Sequence, residues 1–291
     1  MYHTTTTNHM NKHKITFLGP IGATFSHDAY NALAGIYGAP AVTNENYVEA
    51  KNNGEILRLI AKHGGYGAIA METLAEGRVA EPVEAFIETL QYDECTFHIV
   101  GAVQMKLHFC LMAREGSEMC GIIAHPKSLG ACKGKIQWPT ASAPSNGEAA
   151  RLVATSEDHK SYAALGPRSA AEKYDLKILD EAFEDKEAIT TFFLIAPKDH
   201  TVAVGKKNRA LIVYKVLHKP GSLVDSLIPF KTEGLNMIQI HSVHAGNGVY
   251  HFAIEVEVGE NEMDKWTRAM KVFESSVEKH FTFGPFEVLL R

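Results

Sequence analysis

The chain of 291 residues has a formal net charge of −5, with 45% apolar and 22% charged residues. That length is more than one hydrophobic core usually serves, and the balance is that of a soluble globular protein with room for two domains. An acidic chain without a basic run excludes the electrostatic footprint of nucleic-acid or membrane-surface binding, and no apolar stretch approaches the roughly 20 residues of a spanning helix. Residues 1–13 are polar, contain three histidines and lack the apolar centre of a signal peptide; they read as a disordered leader, with Met10 an alternative start. Cys95, Cys110, Cys120 and Cys132 show no CxxC spacing, so reduced, mostly buried thiols in a cytoplasmic protein are expected, without zinc.

From Lys14 the apolar run Ile15-Thr-Phe-Leu18 breaks into Gly19-Pro20-Ile-Gly22-Ala-Thr24-Phe-Ser26-His27. A strand, a glycine turn and a helix start in that order form an anion-binding corner: glycine lets the backbone approach a ligand, and a helix N-terminus offers unpaired N–H groups. An ordinary turn capped by Thr24 or Ser26 has the same local sequence. A helix is expected from Ser26 to Tyr37, ending at Gly38, and a second from Asn53 to Lys62, stopping at Gly64-Gly65. Tyr66 to Met71 reads as a buried strand that delivers Glu72 to its end, and Val79 to Leu90 as a helix.

Phe97 to Ala113 reads as one long strand passing from a first lobe to a second. There Gly121 to His125 is a strand ending at the His125-Pro126 turn. Ser145-Asn-Gly-Glu148 is a capping box for a helix over Ala149 to Thr155. Tyr162 to Gly166 is a strand feeding a helix from Arg168 to Tyr174, and Ala188 to Ile195 returns the chain to the first lobe. Two crossings imply a cleft, the usual place for a small ligand.

Lys198 to Asn208 is a polar linker. Beyond it come a strand over Ala210 to Leu217, a helix over Ser222 to Glu233 and a hairpin of Asn236 to His244 with Val249 to Val258 around Gly246-Asn-Gly248. Asn261 is expected to cap a helix with Trp266, Met270, Phe273 and Val277 on one face, and Phe286 to Leu290 to be the last strand. The order βαββαβ is the split ferredoxin-like arrangement of a separate domain.

The Gly19-Pro20-x-Gly22 turn with Ser26-His27, the Gly67 to Gly77 segment around Glu72, and His125-Pro126 with Cys132 come in a specific order. They are followed by Glu148-Ala-Ala150, Ala163-Ala-Leu-Gly166 with Ala170, Ala171 and Tyr174, then Thr190 with Phe192, and Pro220-Gly221-x-Leu223. In this the chain resembles the prephenate dehydratase family. The resemblance implies an α/β fold: a two-lobed, periplasmic-binding-protein-like catalytic domain at 14–198, crossing near 97–113 and 188–197, and a ferredoxin-like ACT domain at 206–291. It implies a carbon–oxygen lyase without a cofactor that converts prephenate to phenylpyruvate in phenylalanine biosynthesis, working as a homodimer or homotetramer.

Such a site needs cations or N–H donors for two carboxylates and a donor for the departing hydroxide. By resemblance the catalytic candidates are Thr190, Glu72 and His125. The substrate-binding candidates are Gly19, Pro20, Gly22, Thr24, Ser26, Thr73, Lys127, Asn146, Arg168, Thr191 and Phe192. Lys127 and Arg168 are preferred among the cations Arg78, Lys127, Lys133 and Arg168, and Cys132 is read as a buried thiol. For a regulatory amino acid such as L-phenylalanine the candidates are Gly221, Ser222, Leu223, Asn236, His241 and Ser242.

Several positions depart from the family pattern. Thr-Thr-Phe stands for Thr-Arg-Phe at 190–192, and a threonine cannot make the bidentate bonds of a guanidinium. Glu72 is followed by Thr73-Leu-Ala-Glu76 where an amide and serines are usual. Asn146 and Pro167 replace a threonine and a serine, and His241-Ser-Val-His244 replaces Glu-Ser-Arg-Pro. Three readings therefore stay open: a prephenate dehydratase with an atypical pocket; a relative redirected to non-aromatising decarboxylation or a similar cyclohexadienyl acid; and a non-catalytic small-molecule sensor.

Overall fold

The computed structural model describes residues 14–73, 77–185, 187–201, 208–246 and 248–290, and only the backbone of 77 and 78. The expected leader, residues 74–76, the Arg78 side chain and Asn247 of the hairpin turn lie outside the described residues. The first lobe opens with β1 (Ile15–Leu18) and α1 (Phe25–Tyr37), which the Thr24 hydroxyl caps by accepting from the His27 N–H and which ends at Gly38, φ 67°. Then come β2 (Tyr47–Ala50), α2 (Asn53–His63), β3 (Tyr66–Thr73), β4 (Gly77–Arg78), α3 (Ala80–Glu88) and β5 (Phe97–Lys106). Asn52 caps α2, whose Ile56, Leu57 and Ile60 face the core.

The second lobe contains β6 (Cys110–Ala113), β7 (Gly121–Ala124), α4 (Pro126–Ala131), β8 (Thr140–Ser142), α5 (Asn146–Thr155), β9 (Tyr162–Gly166), α6 (Arg168–Tyr174) and β10 (Lys177–Asp180). β11 (Ile189–Pro197) returns to the first lobe. The C-terminal unit has β12 (Arg209–Val216), α7 (Ser222–Thr232), β13 (Met237–His244), β14 (Tyr250–Glu257), α8 (Met263–Ser276), β15 (Val277–Phe286) and finally β16 (Val288–Leu290).

The first sheet has the order β16-β5-β11-β3-β1-β2, with β4 on β3; the second is β10-β6-β9-β7-β8 and the third β13-β14-β12-β15. The fold is thus two α/β lobes followed by a ferredoxin-like unit. α1 covers one face of the first sheet, and α2 and α3 cover the other together with the third sheet. α7 and α8 cover the far side of the third sheet. No helix among the described residues is long and apolar enough to cross a membrane.

Four details differ from the sequence expectation. The long strand 97–113 is two strands in different sheets, β5 and β6, because the chain changes lobe at Leu107 to Phe109. Ser145 caps α5 by accepting from the Glu148 N–H at 3.0 Å, but the Glu148 carboxylate turns to Arg151 at 2.7 and 2.6 Å, so only half of the capping box forms. Glu262, not Asn261, precedes α8, with no side-chain cap. The strand that closes the third sheet is β15; Val288–Leu290 leaves that sheet and pairs in parallel with β5, opposite Ala102, Val103 and Gln104.

Gly67 shows how tightly the first sheet is packed, since a Cβ there would lie 2.5 Å from the Thr16 carbonyl oxygen and 2.6 Å from Ile60 Cδ1. Gly67→Ala is expected to cost about 1–3 kcal/mol of stability, read as a lower midpoint in chemical denaturation.

Candidate active site

The two lobes enclose a cavity of about 290 Å³, at the small end of ligand-binding pockets. Ser26 in the first turn of α1, Asn53 at the start of α2 and Asn146 at the start of α5 all line it. Three helix N-termini converge there, each with unpaired N–H groups and a partial positive charge. Phe25, Phe109 and Phe192 form the apolar wall, the first two edge-to-face with centroids 5.2 Å apart. Lys51 and Lys127 also line the cavity; the Lys51 backbone N–H donates to the Glu55 carboxylate at 2.6 Å, and neither ammonium pairs with a carboxylate among the described residues.

The floor is set by one irregularity in strand pairing. Thr190 stands opposite Thr73 and Thr191 opposite Glu72, but Phe192 stands opposite Ala70, so Met71 is an extra residue and β3 bulges there. Directly paired residues share a face, and a bulge inverts the alternation beyond it. Thr190, Thr73, Phe192 and Ala70 therefore all face the cavity, whereas Glu72 and Thr191 are not in its lining. The Thr190 hydroxyl is buried and has no hydrogen-bond partner among the described residues. Thr191 is just as buried and accepts a 3.4 Å bond from the Gln104 amide on β5.

Of the expected turn residues, Thr24 and Ser26 line the cavity; Gly19, Pro20 and Gly22 do not. The turn instead joins the lobes. The Ser145 hydroxyl donates to the Gly19 carbonyl at 2.7 Å, and a Cβ on Gly147 would lie 2.7 Å from both Pro20 Cδ and the Ala23 carbonyl oxygen. Gly22 has φ 69°, which a residue with a Cβ rarely adopts. The Thr24 hydroxyl donates to Leu18 at 2.8 Å, so its proton is committed to the turn. Ser26, also buried, lines the cavity.

In the second lobe the Asn146 carbonyl oxygen accepts from the His125 N–H at 3.1 Å and from the Ser128 hydroxyl at 2.9 Å. That fixes its orientation and leaves its NH₂ group as the donor end at the cavity. His125 lines the cavity as the cap of α4, its Nδ1 accepting from the Lys127 N–H at 3.3 Å. Arg168 does not reach the cavity; it pairs with Glu181 on the surface. Cys132 is fully buried and its thiol is pushed up to about 12, mainly by burial, which suits packing and not nucleophilic attack.

Lys51, Asn52, Asn53, Glu81 and Glu187 also line the cavity and did not figure in the sequence reading. The available signal was the asparagine pair before an apolar helix pattern, since a strand leading to a capped helix is the same device as Leu18 to Ser26. In the C-terminal unit a second cavity, about 520 Å³, is lined by Gly221, Ser222 and Leu223. Asn236 lies outside it, donating to Glu257 at 2.6 Å, and so do His241 and Ser242 on β13.

Two expectations follow. Thr191→Arg would place a charge at a buried position away from the cavity and should lower stability by more than about 2 kcal/mol without tightening ligand binding, as thermal unfolding and calorimetry would read. Burial holds His27 and His98 below the ordinary 6.5, with help from Lys173 for the former and from His200 and Lys198 for the latter. The unfolded chain then takes up these protons more readily than the fold. Their stabilisation is complete above pH 6.5 and is lost as pH falls from there through the depressed folded values. Urea unfolding at about pH 7.5 and about pH 5.5 should show the loss, and His98→Phe should lessen it.

Comparison with known proteins gives the family and the fold. A relative from Methanocaldococcus jannaschii described as prephenate dehydratase is 30% identical over 228 residues, 76% of this chain and 79% of its own length. The solved structure of prephenate dehydratase from Arthrobacter aurescens in complex with L-Phe matches 93% of this chain and 89% of its own, with TM-score 0.77 and 21% identity. A structure described as a novel type of quorum quenching acylase covers 93% of this chain and 96% of its own, with TM-score 0.73 and 22% identity. These two structural likenesses speak for the fold alone. The family model for prephenate dehydratase matches residues 15–200, and with the relative's identity this establishes that the chain belongs to the prephenate dehydratase family.

Proposed function

We propose that the cleft converts prephenate to phenylpyruvate by loss of carbon dioxide and of the ring hydroxyl, as the name of the M. jannaschii relative implies. The observation that carries this reading is the buried hydroxyl of Thr190, unpartnered among the described residues, on the floor of a cavity where three helix N-termini meet. A buried donor without a partner costs stability, so its place is explained by a ligand that accepts from it.

The substrate has two carboxylates and one hydroxyl to accommodate. The N-terminal turns of α1, α2 and α5, with Lys51 and Lys127, supply positive potential for the carboxylates, while Phe25, Phe109 and Phe192 take the ring. Thr190 donates a hydrogen bond to the ring hydroxyl as its C–O bond breaks. The C–C bond to the ring carboxylate breaks in the same sense, and its electron pair enters the ring as carbon dioxide departs. The hydroxide leaves as water after taking one proton from solvent. Aromatisation drives the step, so positioning outweighs acid strength, and a hydroxyl suffices where a strong acid would otherwise be needed.

The redirected-reaction reading drew on the loss of an arginine at 191 and on the companion changes at Thr73, Asn146 and Pro167, of which Thr73 and Asn146 line the cavity. Since Thr191 does not line the cavity, its change takes no group from the cleft described here. Glu72, for the same reason, has no part in this mechanism.

Thr190→Val removes the hydroxyl at nearly constant volume and should lower turnover roughly 100- to 10,000-fold with little change in KM, followed as phenylpyruvate absorbance. Lys127→Met should act the other way, raising KM about ten-fold or more by removing a charge-assisted bond of ~1.5–3 kcal/mol. A Thr190→Val enzyme with full turnover would remove Thr190 from the mechanism.

A further inference from the structure

Asn53 and Asn146 are the first residues of α2 and α5, one in each lobe, and both line the cavity. Each carboxamide is committed at its oxygen. Asn146 accepts from the His125 N–H and the Ser128 hydroxyl, and Asn53 accepts from the Ala70 N–H at 3.1 Å. An amide held in this way presents its NH₂ group, which donates and does not accept.

The bond to Ala70 has a cause in the sheet. Among the described residues β1 pairs with β3 at Tyr66 and Gly67 alone, so no strand covers that edge at Ala70. Asn53 supplies the missing acceptor, one residue from the bulge at Met71 that turns Thr73 and Ala70 to the same face. Its oxygen thereby pins β3 next to the irregularity that sets the cleft floor. Ala70 stands opposite Phe192, two residues along β11 from Thr190, which is about 7 Å in an extended strand. A six-membered ring with a substituent at each end has much the same length. When the ring hydroxyl meets Thr190, the opposite end of the ring lies toward Asn53.

We propose that Asn53, with Asn146 from the other lobe, binds the ring carboxylate of the substrate and selects it over a group that can only donate. This rests on the reading of the cleft as the prephenate site. A carboxylate offers lone pairs to both NH₂ groups, whereas an ammonium in its place leaves their donors unmatched.

Asn53→Asp separates the two ends of the side chain. The aspartate keeps an acceptor for Ala70 and suits a helix N-terminus, so the thermal midpoint should stay at or above that of the wild type. It also sets a negative charge where the donor stood. Calorimetric titration in the Thr190→Val background, where turnover is slow, should show the Kd for prephenate raised about ten-fold or more, and Asn146→Asp should do the same. Phenylpyruvate lacks the ring carboxylate, and its Kd should rise less than about three-fold in both variants. An unchanged prephenate Kd in Asn53→Asp, or an equal loss for the two ligands, would overturn the proposal. Asn53→Ser, too short to reach both partners, is the second variant; it must weaken prephenate more than phenylpyruvate, or the assignment fails. Turnover is measured separately on the wild type. Selective binding without turnover removes the proposed reaction and leaves the carboxylate site standing, while prephenate that binds none of these proteins overturns both.

Discussion

The pairing of β11 with β3 is the constraint on which the rest depends. β11 is the segment that returns the chain from the second lobe, and it is buried along almost its whole length between β3 and β5. Its register against β3 decides which threonine meets the cleft. One extra residue at Met71 puts Thr190 and Thr73 on the cavity side together with Phe192 and Ala70. Without that bulge the alternation would set Thr73 and Ala70 on opposite faces, and the floor would lose one of its hydroxyls.

Around that floor the electrostatics are supplied mostly by backbone. Among the described residues the formal cations lining the cleft are Lys51 and Lys127, while the helix starts at Phe25, Asn53 and Asn146 contribute fixed dipoles. The glycine turn serves this arrangement indirectly. Gly19 accepts from Ser145 and Pro20 packs against Gly147, so the turn sets the approach of α5 to α1 and thereby the distance between two of the helix ends at the cleft.

The C-terminal unit is no free appendage. Its bare sheet face completes the core over α2 and α3, Phe286 meets Phe193 of β11 with centroids 5.0 Å apart, and β16 joins the edge of the first sheet. Only Glu287 separates β15 from β16; its carbonyl accepts from Ala102 at 2.8 Å and its carboxylate from the Tyr37 hydroxyl at 3.2 Å. The third sheet and the first lobe therefore share one hydrophobic cluster.

By itself the sequence determined the elements with strong local signals: the capped helices at Thr24 and Ser145, the apolar strands at Ile15 and Tyr66, the second crossing between lobes and the βαββαβ order. Periodicity and capping are short-range properties, so they can be read without knowing the fold. Edge strands such as Tyr47–Ala50 and Lys177–Asp180 left no such trace, being short and only partly buried. Thr190, Ser26, Asn146 and Lys127 were legible as cleft candidates from motif position. Tertiary structure alone decided that Glu72 and Thr191 stay out of the lining, that Arg168 is spent on Glu181, that Lys51 comes in, and that the last strand crosses to the first sheet. Each of these turns on a bulge, a pairing partner or a lobe contact between residues distant in the chain, and no local propensity encodes such choices.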